Sequence, residues 1–569
     1  MYLAGTDSFT IVNAVIFDGH DVLDADTVVV QDGVLTDLRV GVNSDLLEGS
    51  EIIDAHGGLV TPGFVDAHVH PVFAGIETLS LDLSDCDTVD GALARIRRAL
   101  ITEPGSVDWL TGGGWSMSDF PGGAPHASLL DELCAETGTN RPIQLISADH
   151  HSSWVNSAAL TRAGIDASTL DPSGGVIDRD ADGEPTGTLH ESAVDLVGAL
   201  IPKETPEELR AGILEGQRRL HEVGVTGYID AIVGDYLGHG DTYQAYIDAV
   251  EDGVLTCEVT ASLWWRRDID VPADEAARLK TMAVDGPQFR TTNVKFMLDG
   301  IVESLTAAVT EPYLEPSTAQ GNCPCERMTG GGNHGTHYFT PEHLAASFRE
   351  LRGAGFDIHC HAIGDAAVHG ALDAFEASQG ITLAAEDDER HHIAHLQVVD
   401  PADVPRMAAL GVTANLQALW AHYDEQLIDL NLPVLGEKRS GWMYPFADFA
   451  AAGTQLAMGS DWPVSTPDPW QAIHVAVNRT HPTGARHEPL LPDQALDVMT
   501  CLRAYTTGSA RLARTRTAGR LILGAPADLA LASAAPVGPG AVSAERISEI
   551  SNTLTVAAGR IVYVREDPQ

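Results

Sequence analysis

Lysine is almost missing from this chain. Among 569 residues only Lys203, Lys280, Lys295 and Lys438 are lysine, and 34 Lys and Arg face 81 Asp and Glu, a formal net charge of −47. Phosphate backbones are held by clustered basic side chains, so nucleic acid is excluded as a partner. The acidic residues are spread along the chain, as in "DLSDCDTVD" and "AAEDDER", not gathered in a tail. A solvated carboxylate coat of this kind suits a halophile's high-salt cytoplasm, where screening is strong; an ordinary acidic protein is the other reading.

Long apolar runs are missing too. None approaches the ~20 residues that a membrane span needs. The opening "MYLAGTDSFTIVNAVIFDG" has no basic segment ahead of an apolar one, so no signal peptide is expected and the location expected is cytoplasmic. The seven cysteines are scattered and odd in number, which does not make a disulfide framework. No Gly-x-Gly-x-x-Gly follows the first strand-like run, which weighs against a doubly wound dinucleotide-binding sheet.

What is present is a long chain, 44% hydrophobic, enough for a large core and more than one structural unit. The two ends look alike. Residues 9–61 and 519–569 both show short alternating runs broken by Gly and Asp, as in "FTIVNAVIF" and "ISNTLTVAAGRIVYV". Neither end has a comfortable core alone, so 1–61 and 515–569 are expected to form one small β-sandwich. Between them, 62–514 alternates strand-like and helical stretches. The strand-like runs are Leu59–His70, Val225–Val233, Leu255–Trp265, Asn293–Gly300, Phe356–Ala362, His391–Gln397, Gly411–Gln417 and Gln455–Asp461. Eight such units predict an α/β fold, a TIM-type (β/α)8 barrel, with a large insertion after the first strand at approximately 75–210.

The chemistry-bearing residues stand at the ends of those runs. In "GLVTPGFVDAHVH", His68 and His70 are two apart, so both imidazoles project to one face of a strand, at the end that faces a barrel's active site. Neutral imidazoles suit zinc and similar divalent ions. Lys295 ("NVKFMLDG"), His361 ("DIHCHAIGD"), His395 ("RHHIAHLQ") and Asp461 ("LAMGSDWP") end later runs. A lysine kept inside an apolar strand, in a chain that nearly excludes lysine, points to a specific task. Buried, it loses its proton readily, and the neutral amine takes up CO2 as a carbamate.

Together these segments resemble the amidohydrolase superfamily, and within it family 3, the YtcJ-like and N-substituted-formamide-deformylase-like hydrolases. "PGFVDAHVH", "GGGWSMSDFPGGAPHASLLDE", "HHSSWVNSAAL", "GGVIDRDADGEPTGTLHE", "VKFMLDG", "HAIGDAAV", "HIAHLQ", "GSDWPV" and "GAPADLALA" carry the likeness over nearly the whole chain. The resemblance implies two divalent metal ions, zinc first among the choices. His68, His70 and Asp461 would bind one; His361 and His395 would bind the other; Lys295, as its carbamate, would bridge them. His359 shares a strand face with His361, but the His-Ala-Ile-Gly-Asp pattern favours His361. Ala394 stands where the family often has Glu.

The resemblance also implies the reaction: metal-activated water cleaves a non-peptide, N-acyl or N-formyl amide, with Asp461 passing the proton to the departing amine. A metal-dependent isomerase or lyase, or a non-catalytic metal-binding relative, are the other readings. The partner expected is a small amide-like molecule, with a homodimer as the default assembly. His151, Trp154 and Asn156 are candidate substrate contacts, with His150 and Glu191 nearby. Trp115, Trp154, Trp264 and Trp462 are candidates for an aromatic wall. Asp299 could orient a neighbour or cap its strand, and His391 and His392 read as turn histidines. Cys323, Cys325, His334 and His337 ("CPCERMTGGGNHGTH") form either a second metal site or a plain loop.

Overall fold

The structure, a computed structural model, describes residues 7–41, 51–86, 88–102, 108–120, 123–172, 174–236, 238–314, 332–380 and 389–566. Its centre is an eight-stranded parallel sheet. The strands are β1 (Phe64–Val69), β2 (Val225–Val233), β3 (Glu258–Trp264), β4 (Phe289–Met297), β5 (Asp357–Ala362), β6 (His392–His395), β7 (Thr413–Leu416) and β8 (Leu456–Met458), hydrogen-bonded in that order. All nine residues of β2 and all seven of β3 are buried. Uninterrupted burial is what a parallel sheet covered by helices requires.

The ring closes beyond the end of β8. Asp461 N–H donates to His68 O at 2.7 Å, and His70 N–H donates to Trp462 O at 2.9 Å. The Asp66 carboxylate joins the same seam, accepting from Ser460 N–H at 3.0 Å and His68 N–H at 3.1 Å. This is a TIM-type barrel.

The run read as one strand from Leu59 to His70 is two. Leu59–Pro62 pairs with Val15–Ile16 and Leu529–Ala532, and only Phe64–Val69 enters the barrel. The break falls at Gly63, where a Cβ would lie 2.0 Å from Thr226 Oγ1 and 2.4 Å from Asp528 Oδ1. Only glycine lets the sandwich approach the barrel so closely.

Strands from both ends of the chain share one five-stranded sheet, in the order Val15–Ile16, Leu59–Pro62, Leu529–Ala532, Asn552–Ala557, Arg560–Val564. It packs on a four-stranded sheet of Phe9–Val12, Thr27–Gln31, Val34–Arg39 and Glu51–Asp54 through buried Phe9, Ile11, Val30, Val60, Leu529 and Val556.

Asp528 ties this sandwich to the barrel. Its carboxyl accepts from the Thr226 hydroxyl on β2, and its carbonyl accepts from Gly63 N–H at 3.2 Å. Burial pushes its carboxyl up to about 8 from an unperturbed 3.8. The folded protein therefore holds a proton there that the unfolded chain releases. The contribution is complete at pH below about 4 and is lost as pH rises toward about 8. Asp528→Asn is expected to flatten that decline, read as urea midpoints from about pH 5 to about pH 8; an unchanged slope counts against the buried proton.

Between β1 and β2 lies a six-stranded sheet, ordered Gly175–Arg179, Pro185–Glu191, Ser152–Val155, Ile143–Ser147, Leu110–Trp115, Leu81–Asp82, with its own apolar core. It is anchored by two helices, Pro71–Leu79 and Pro206–Glu222. They cross at glycines: a Cβ on Gly75 would lie 2.1 Å from Gly212 O. Thr205 and Glu208 form a capping box that starts the second helix. Among the described residues no helix is long and apolar enough to cross a membrane.

Candidate metal centre

Six residues singled out from sequence converge at the C-terminal mouth of the barrel: His68, His70, Lys295, His361, His395 and Asp461. Strand periodicity puts His68 and His70 on one face, and the closing seam delivers Asp461 to them. Asp461 Oδ1 lies 3.3 Å from His68 Nε2 and 3.2 Å from His70 Nε2; its Oδ2 is 3.9 Å from His395 Nδ1. Lys295 Nζ is 3.4 Å from His68 Nε2. The rings of His361 and His395 stand 4.4 Å apart.

Burial governs the protonation states. It lowers His68 to about 3, lowers His70, and drives His361 and His395 well below the usual imidazole range. All four are neutral near pH 7, the form in which imidazole binds a metal. Burial also takes the Lys295 amine down to about 7. Burial opposes the charge on Asp461, but His68, His70 and His395 outweigh it and hold the carboxyl well below its usual value.

The arrangement fits a bound cation. Among the described residues, His68, His70 and Asp461 bring ligand atoms within 4.8 Å of one another. Asp461 Oδ1 and His395 Nδ1 are buried with no hydrogen-bond partner. Donor atoms so crowded and so poorly hydrogen-bonded are costly unless something else satisfies them.

The surroundings fix the ring orientations. His359, fully buried behind His68, contacts His68 Nδ1 through Nε2 at 2.8 Å and Ser262 Oγ through Nδ1 at 2.9 Å. Its partner two residues on, His361, lines the cavity instead. Asp299 accepts from the amides of Ala308, Ile363 and Gly364 at 2.8–3.0 Å and stands 3.6 Å from His361 Nε2. It orients the loops beneath His361. His395 N–H donates to Gln417 Oε1 at 2.6 Å. His150, Glu191, His395 and Asp461 all take positive φ, a left-handed conformation that bulky residues rarely hold without support.

The sequence pattern of the amidohydrolase family matches residues 51–563. The chain belongs to this family. It is 28% identical over 517 residues to the putative amidohydrolase YtcJ of Bacillus subtilis, covering 90% of each chain. It is 27% identical over 518 residues to N-substituted formamide deformylase of Arthrobacter pascens, covering 89% of this chain and 88% of that one. An uncharacterized metal-dependent hydrolase from Pyrococcus horikoshii has the same fold, with a TM-score of 0.68 at 23% identity, covering 94% of this chain and 99% of that one. Membership makes this a hydrolytic enzyme of a class that uses a divalent metal.

In this amidohydrolase the insertion contributes one of the three candidate substrate residues to the site. His151 lines the cavity, its ring 5.6 Å from that of His361, and its Nδ1 is 2.9 Å from Glu191 Oε1. Burial works against the charged imidazolium, but Glu191 prevails and raises it to about 9.

Trp154 and Asn156 lie elsewhere. Trp154 is fully buried against Trp115 and Phe120 in the insertion's core, its Nε1 donating to His126 O at 3.1 Å. Asn156 caps the helix Ser157–Ala163, accepting from Ala159 N–H at 3.0 Å. Both faces of this sheet are covered, so Trp154 and Val155 point into opposite apolar clusters, and Asn156 is the N-cap that follows; both candidate side chains are therefore spent inside the insertion.

Of the proposed aromatic wall, Trp115 is likewise buried in the insertion, and Trp264 packs with Ile232 and Met297. The tryptophan that lines the cavity is Trp420, stacked on His395 with centroids 5.2 Å apart and planes 4° apart. Its place directly after the seventh strand-like run was the available signal. His391 accepts from Ile358 N–H at 3.0 Å, and the His392 ring sits 4.1 Å from that of His359. Cys323 and Cys325 lie outside the described residues; His334 Nδ1 is 3.1 Å from Val309 O.

Proposed function

We propose that this amidohydrolase cleaves a non-peptide C–N bond, an N-acyl or N-formyl amide, and that His68, His70, Lys295, His361, His395 and Asp461 hold two divalent ions, zinc in the first instance. The observation that carries the reading is the convergence of those six side chains, from strands β1, β4, β5 and β6, the residue after β1 and the loop after β8, at one mouth of the barrel. In support, a relative matched over most of the chain is named for deformylating N-substituted formamides.

His68, His70 and Asp461 would hold one ion and His361 with His395 the other. Lys295, as the carbamate its neutral amine forms with CO2 on losing a proton, would be a ligand held in common by both ions. When bound, the ions supply Lewis acidity toward the substrate carbonyl and toward water. Asp461, anionic and beside His68 and His70, accepts the proton from attacking water and delivers it to the amine nitrogen as the C–N bond breaks. An amine leaves only when protonated, so this delivery is needed for turnover. His151, charged through Glu191, donates toward the oxygen on which negative charge develops.

Metal analysis of the purified protein, with amine release from a panel of N-formyl and N-acyl amines, tests the reading. About two divalent ions per chain and release that is lost on chelation are expected. Full activity in metal-free protein sinks it. In Glu191→Gln the His151 imidazolium loses its counter-charge, so its pKa falls. The alkaline limb of the kcat/KM profile should then move to lower pH and kcat should drop by about 10- to 100-fold. An unmoved limb removes His151 from the mechanism.

A further inference from the structure

The cavity that opens from the candidate centre, about 230 Å³, is lined by three carboxylates besides Asp461: Asp149, Glu303 and Asp424. Among the described residues no lysine or arginine lines it, and the cationic group on its wall is His151, already paired with Glu191 at 2.9 Å.

Each of the three carboxylates is fixed through one oxygen by neutral donors. Glu303 Oε1 accepts from Gln426 Nε2 and Asn431 Nδ2, both at 3.0 Å, and Asn431 is itself held by Gln397 Nε2 at 2.9 Å. Asp149 Oδ1 accepts from Ser147 Oγ at 2.6 Å and His151 N–H at 2.9 Å. Asp424 Oδ1 accepts from Leu427 N–H at 2.7 Å. His422, 7% exposed on the same wall, has an Nδ1 with no hydrogen-bond partner. Trp420, lying flat on His395, gives the cavity an apolar platform between the centre and these groups.

We propose that this cavity selects amides carrying a positive charge, held at Glu303, and disfavours amides carrying a free carboxylate. The inference rests on the amide reading above and names the substrate class. Carboxylates gathered in a half-closed space beside a cationic His151 that Glu191 already pairs repel one another and lose solvation; a bound cation relieves both effects, and a bound anion adds to the first. Burial already pushes the Glu303 carboxyl up, against the pull of Asn431 and Gln426, as expected of a site lacking its counter-charge. Selectivity of this kind needs the repulsive element as much as the attractive one.

Three probes on one scaffold test it: N-formylbenzylamine with a para-ethyl group as the neutral reference, its para-aminomethyl analogue and its para-carboxy analogue. Binding to the metal-loaded protein is measured by calorimetry, separately from amine release. The cationic analogue is expected to bind about 30-fold more tightly than the neutral one, with the carboxy analogue weakest. In Glu303→Gln the cationic-to-neutral ratio should collapse toward one. A neutral analogue that binds as tightly as the cationic one overturns the proposal. So does a carboxy analogue that binds best, or a ratio that survives Glu303→Gln. Absence of amine release from all three sinks the amide reading, while the affinity order still decides the charge preference.

Discussion

Asp461→Asn is expected to cut kcat/KM for amide hydrolysis by about 1,000-fold or more while leaving the protein folded. The size follows from two roles in one carboxylate. Asp461 Oδ1 sits 3.2–3.3 Å from His68 and His70, so its charge is needed to hold a cation between them. Its carboxyl is kept anionic by the histidines despite burial, so it is also the base best placed to receive a proton from water. An amide side chain of the same shape keeps the seam, because that seam is made by the Asp461 backbone donating to His68 O. The melting temperature of metal-free protein should therefore fall without loss of the fold, since a carboxyl held below its usual value contributes stability while ionised. A variant within tenfold of wild-type turnover would falsify the assignment of Asp461.

Lys295→Met separates function from structure even more sharply. Lys295 is 1% exposed on β4, and burial brings its amine down to about 7. A residue kept there for stability should destabilise the protein when lost. A residue kept for chemistry should do the opposite, because an apolar chain of similar length relieves the desolvation cost. We expect activity to fall by at least about 100-fold and bound metal to drop below the wild-type content, with the metal-free protein melting no lower than wild type. Loss of folding without change in metal stoichiometry points to a structural lysine.

The barrel and its mouth were legible because period and position coincide. His68 and His70 are two apart at a strand end, Lys295 lies within an apolar run, and His361, His395 and Asp461 stand at or near the ends of theirs, so a parallel barrel brings them together whatever the loops do. The insertion was legible only as a gap between the first two runs. Its six-stranded order is set by contacts far apart in sequence, which no local pattern carries. Trp154 shows the cost: its neighbours His150 and His151 reach the site, but alternation on the strand Ser152–Val155 turns it into the insertion's core. Glu303 was missed because its surroundings come from Gln426 and Asn431, more than a hundred residues later, in a stretch with no periodic signal.

The shared sheet of the two chain ends has a consequence for synthesis. Leu59–Pro62 leaves the ribosome early, yet its neighbour Leu529–Ala532 emerges only after every barrel strand has been made. Until then one edge of that strand is bare and apolar, a template for pairing with other nascent chains. A chain cut short anywhere before residue 529 keeps that sticky edge for good, so premature termination should yield aggregates instead of a partly working enzyme.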